Sequence, residues 1–164
     1  MAPHGAFTDL ASMPPTPSDT LPLRLIIEQP LAGVALALQA GKDGLEPPTA
    51  SSTAAVVFDF AVRLGPPRPG GAPGFLGPYT QGPPAERFVY VCVGRRAGQA
   101  GSAFDGRIKV PLTGITGAQV KALLAAPGKR LAVRIPGRTP KGGPTLATVK
   151  LPEGAWQLVA DGAR

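Results

Sequence analysis

The chain has 164 residues, 43% hydrophobic and 16% charged, and its 22 glycines and 21 prolines make up about a quarter of it, so one domain with heavily punctuated loops is expected. One cysteine, Cys92, and one histidine, His4, exclude a disulfide within the chain, a thiolate metal cluster built from it, and chemistry that turns on a histidine base or several histidine ligands. The net charge of +7 is unevenly spread: residues 1–62 hold two basic against six acidic side chains, residues 63–141 thirteen against two, a bias that favours anionic partners.

Residues 1–21 place Pro3, Pro14, Pro15 and Pro17 among Ser and Thr with no apolar period. Such a stretch cannot offset its ordering entropy by burial, and it reads as a disordered, proline-rich tail ahead of a single β-rich domain over residues 22–164. The longest strongly apolar run, Leu31 to Leu38, is too short to span a bilayer. The start of the chain lacks the basic and apolar regions of a signal peptide. The expectation is a cytoplasmic protein with no membrane partner.

Strands follow from the period-two pattern. Leu23, Leu25 and Ile27 alternate with Arg24 and Glu28; Val34, Leu36 and Leu38 alternate with alanines and Gln39. Val56, Phe58, Phe60, Val62 and Leu64 line one face of a third strand, opposite Val57, Asp59, Ala61 and Arg63. Phe88 to Val93 is apolar on both faces, the pattern of a central strand covered on each side. Further strands are predicted around Ile108–Leu112, Leu131–Ile135 and Ala147–Leu151, with a short last one near Trp156 and Leu158. One helix is predicted over 117–126, from the T-x-x-Q capping box of Thr116 and Gln119, the staple pair Ile115 and Val120, and the stop at Pro127-Gly128. The fold class is therefore mainly β, an antiparallel barrel or sandwich of seven to eight strands with one short α-helix.

Two long loops carry the candidate chemistry. Gly65–Ala85 holds seven prolines, with Pro66–Gly71 expected to be mobile and Phe75–Tyr79 anchored by its apolar side chains. Gly94–Gly106 sets Arg95 and Arg96 among glycines, a cradle for phosphate or carboxylate that matches neither the P-loop nor the dinucleotide fingerprint. Phe75, Tyr79 and Phe104 are the aromatics left over for stacking, because the others fall on strand positions expected to face the core.

The run Gly77-Pro78-Tyr79-Thr80-Gln81-Gly82-Pro83-Pro84, followed by Arg87-Phe88-Val89-Tyr90 and by Arg107-Ile108-Lys109-Val110-Pro111-Leu112-Thr113-Gly114-Ile115, resembles a family of small bacterial proteins known only as a domain of unknown function. The likeness covers about residues 22 to 158. It implies a single bacterial domain, transfers no mechanism, and points to the Tyr79–Arg87 loop and Arg107 as the place of a site.

Two classes of partner follow. The first is an anionic small molecule, bound without catalysis by Tyr79, Gln81, Arg87, Arg95, Arg96, Phe104 and Arg107; no catalytic residue, metal or cofactor is called for. The alternative is a polyanion or nucleic acid on the basic surface of residues 63–141. A third reading, an enzyme, would have to work through the scattered carboxylates Asp59, Glu86 or Asp105.

Overall fold

The computed structural model describes residues 19–30, 33–95, 104–137 and 145–162. Of the expected tail over residues 1–21, residues 1–18 lie outside them, as do Arg96 with most of its glycine-rich loop and residues 138–144, whereas Thr20 and Leu21 open the first strand, with Leu21 fully buried. Eleven strands and one α-helix are found among the described residues: β1 (Thr20–Glu28), β2 (Val34–Ala40), β3 (Gly44–Glu46), β4 (Ala50–Ser51), β5 (Ala55–Gly65), β6 (Gly74–Leu76), β7 (Phe88–Arg95), β8 (Phe104–Pro111), α1 (Gly117–Leu124), β9 (Lys129–Pro136), β10 (Thr145–Thr148) and β11 (Gln157–Ala160).

The strands form two sheets and no closed barrel. In the six-stranded sheet the order is β11-β9-β1-β5-β4, with β6 pairing the far part of β5; in the five-stranded sheet it is β10-β8-β7-β2-β3. Their inner faces share one core in a sandwich-like arrangement. Leu21, Leu23, Leu25 and Ile27 of β1 and Phe58, Phe60 and Val62 of β5 belong to the same buried cluster as Val89, Val91 and Val93 of β7 and Ile108 and Val110 of β8. Each such fully buried side chain contributes about 1.5–3 kcal/mol, so the alternation read in the sequence is the principal source of the fold's stability.

Three features depart from the expected strand pattern. The count exceeds seven or eight because β3, β4 and β6 are two or three residues long, too short to show a period. Seven of the nine strand pairs are antiparallel, but β1 with β9 and β8 with β10 run parallel, and alternation carries no information on direction. β10 ends at Thr148 rather than Leu151.

The helix starts where its capping box places it and ends at Leu124 rather than at 126. The Thr116 hydroxyl accepts from the Gln119 N–H at 3.1 Å, while Gln119 Oε1 accepts from the Thr116 N–H at 3.0 Å. Val120 and Leu123 enter the core, and the helix lies beside β9 and β1. Past its end, Gly128 takes φ +84°, a left-handed backbone that favours glycine.

Candidate functional site

Successive side chains of a strand point to opposite sides, so the burial of Val89 and Val91 sends Phe88, Tyr90 and Cys92 to the outer face of the five-stranded sheet. β8 does the same, with Ile108 and Val110 inward and Arg107 and Lys109 outward. Pairing sets Tyr90 opposite Lys109 and Cys92 opposite Arg107. Each cation leans along the strand onto the aromatic ring of the next pair. The Arg107 guanidinium carbon lies 4.9 Å from the Tyr90 ring centre and Lys109 Nζ 4.2 Å from that of Phe88. The two rings meet edge to face at 4.8 Å. What covers the outer side of this central strand is therefore a pair of cations rather than a second apolar layer.

The same face continues to both edges of the sheet. β2 adds Ala37 opposite Cys92, and β10 adds Leu146 opposite Arg107 and Thr148 opposite Lys109. β3 adds Leu45 opposite Gln39. Leu45 and Leu146, 46% and 53% exposed, are the large hydrophobic side chains that stand out into solvent among the described residues. They flank the cation-aromatic rows from opposite edges, and no carboxylate stands in those rows. The Cys92 Sγ–H donates to Gln39 Oε1 at 3.7 Å; burial pushes its thiol up from the usual range, and the Arg107 charge offsets part of that rise. Cys92 is thus a neutral, buried thiol.

The residues proposed from sequence fall into two groups. Tyr79, Gln81 and Arg87 gather on the loop between β6 and β7. The Tyr79 hydroxyl donates to Glu46 Oε1 at 2.7 Å, and its ring packs 5.4 Å from that of Phe60. Glu46 and burial together raise the Tyr79 pKa. Gln81 donates to the Gly41 carbonyl at 3.1 Å. Arg87 donates to the carbonyls of Phe75, at 3.1 Å, and Gly82. Arg68 likewise donates to Pro73 and Ala85 carbonyls at 2.8 and 3.0 Å, so both guanidiniums stitch the proline-rich loop to itself. Gly82, at φ +86°, passes over Phe88 so closely that a Cβ there would lie 2.4 Å from the ring.

The second group lies on the sheet. Arg107 lies on β8, on the outer face beside the central strand β7, and Phe104, half-buried, stands opposite Gly94 beyond a bulge in the β7–β8 pairing. Arg95 ends β7 opposite Val34, and Arg96 lies outside the described residues. Phe75, expected among the stacking aromatics, is buried in the core instead. Both oxygens of Asp59 are engaged by Arg24, on the outer face of the other sheet, at 2.6 and 2.9 Å. Glu86 is exposed in a short 3-10 turn, and Asp105 belongs to the start of β8.

Phe88, Tyr90, Lys109 and Leu146 were missed by the sequence reading. The signal was present: aromatics at 88 and 90 and cations at 107 and 109 each share one strand parity. Reading Phe88–Val93 as apolar on both faces concealed it.

Among the described residues, no group of three or more His, Cys, Asp or Glu could hold a metal ion, and no helix is long and apolar enough to cross a membrane. The fold is a two-sheet, mainly β domain whose five-stranded sheet carries Arg107, Lys109, Phe88 and Tyr90 on its outer face. The chain belongs to the family of unknown function DUF5990, whose model matches residues 21–159. No curated protein and no solved structure matches it.

Proposed function

We propose that the domain is a non-catalytic binding module that takes an anionic chain, of the class of single-stranded nucleic acid, on the outer face of its five-stranded sheet. The observation that carries this reading is the pair of cation-aromatic contacts, Arg107 on Tyr90 and Lys109 on Phe88, on a face whose described rows hold no carboxylate. A single strand needs cations for its phosphates and flat groups for its bases, and the half-buried Tyr90 ring beside Arg107 and Lys109 offers both on one sheet face, with the buried Phe88 ring behind Lys109. Leu45 and Leu146 extend the apolar part of that surface to its edges.

The test is fluorescence anisotropy with labelled oligo-dT and oligo-U at 50 and 300 mM salt. Binding is expected at low salt and release at high salt. The double variant Arg107→Ala/Lys109→Ala should weaken binding about tenfold or more and flatten the log K against log salt slope by about 1.4, the loss of two phosphate contacts on a single strand. Absence of binding at low salt, or binding indifferent to the double variant, would sink the reading. A second reading keeps the anionic small molecule, held where Phe104 and Arg107 share the outer face beside the end of β7. The continuity of Phe104 and Arg107 across the β7–β8 bulge favours it. A phosphorylated or carboxylated metabolite that raises Tm while oligonucleotides fail to bind would select it.

A further inference from the structure

Between the end of β8, the start of α1 and the segment 149–156 lies a cleft of about 600 Å³, walled by Thr113, Gly114, Gln119, Lys150, Glu153 and Trp156. It draws on none of Arg107, Lys109, Tyr90 or Phe88. Trp156 is 2% exposed, and its indole Nε1 is a buried side-chain donor without a hydrogen-bond partner. Such an orphan is rare, because burying a polar group without a partner is costly. The backbone of the same residue is firmly held: Gln119 Nε2 donates to the Trp156 carbonyl at 2.7 Å, while the other end of that amide closes the helix cap. The ring is therefore fixed with its N–H unspent. A Cβ on Gly114 would stand 3.7 Å from indole Cδ1, the atom bonded to Nε1, so the pyrrole edge backs onto the wall that glycine leaves bare. Across the cleft, residues 152–154 are exposed and Gly154 takes φ +79° in a turn closed by the Ala155 N–H to Pro152 carbonyl bond.

We propose that this cleft binds a small zwitterion of the α-amino-acid class, the exposed 152–154 turn moving aside so that its carboxylate accepts from the buried Trp156 indole N–H beside the Lys150 ammonium while its own ammonium faces Glu153. The two charged side chains in the lining are of opposite sign, which disfavours a simple anion or cation and favours a ligand carrying both charges. Gly114 belongs to the Pro111-Leu112-Thr113-Gly114-Ile115 run, and the short β8–α1 connection places its bare backbone beside the ring.

The chain has one tryptophan, so the ¹⁵N-labelled full-length protein gives a single indole N–H signal to follow. The common L-amino acids are titrated one at a time, with acetate and methylamine as controls. At least one amino acid is expected to move the indole signal saturably at millimolar concentration or below, with neither control doing so. Lys150→Ala and Glu153→Gln should each raise Kd about tenfold, the loss of one charge-assisted contact. Gly114→Ala, whose added methyl meets the indole at an ordinary contact distance, should narrow the cleft and abolish the shift while the rest of the spectrum stays folded. The proposal is overturned if no amino acid moves the indole signal, or if the shift persists undiminished in both charge variants. Oligonucleotide binding at the sheet face would be unaffected by either result.

Discussion

Arg24 is the most deeply buried charge among the described residues, at 0% exposure, and Asp59 stands directly opposite it in the β1–β5 register. Its Nη2 also reaches the Asp161 carbonyl at 2.6 Å, and Arg130 joins the group through Asp161, so one guanidinium fastens the end of β11 to the middle of the six-stranded sheet. Arg24→Ala removes both short bonds to Asp59 and leaves Arg130, at 3.8 Å, as a longer-range partner, so it is expected to cost about 3 kcal/mol, the lower end for breaking a buried pair, read as a lower urea midpoint. Arg24→Met with Asp59→Leu should recover most of that loss, because an apolar pair needs no compensation there. Tyr79 supplies a pH signature. Its pKa is raised in the fold by the Glu46 hydrogen bond and by burial, so its contribution is whole below the ordinary tyrosine value of about 10 and is lost as pH rises through the folded value. Stability should fall on that alkaline limb, and Tyr79→Phe should remove that part of the fall, measured by denaturant midpoints between pH 9 and 11. Neither role could be read from the chain. Arg24 and Tyr79 were visible as residue types, but their partners lie 35 and 33 positions away.

At the scale of elements, local chemistry was legible and pairing was not. Thr116, Gln119, Ile115 and Val120 announced α1 because a cap is made within five residues, and the helix sits where they put it. The long strands were equally plain, since β1, β5 and β9 alternate without interruption. The cation-aromatic face was hidden because it exists only once β7 and β8 align in register, and Phe88-Tyr90 read alone is simply apolar. Gln119 joins the two levels, capping α1 and binding the Trp156 carbonyl. Gln119→Glu keeps an acceptor for the Thr116 N–H but turns a carboxylate oxygen toward that carbonyl. It should destabilise by about 1–3 kcal/mol in urea unfolding, more than an exposed Gln→Glu change elsewhere.

For the whole molecule, the position of β1 governs how the chain reaches its native state. β1 is the first strand described, yet it lies between β5 and β9, whose paired residues are 27 to 43 and 108 positions further along. Closing so long a span precedes any reward from the contacts it makes, and chains dominated by distant pairings fold in milliseconds to seconds. Refolding followed by the fluorescence of Trp156 should fall in that slow range and show no microsecond phase of full amplitude. During synthesis β1 must wait, paired on one side only, until Lys129–Pro136 has left the ribosome. A chain cut before Lys129 therefore displays a long, apolar strand with a vacant edge, and it should partition into the insoluble fraction on expression while the full chain stays soluble.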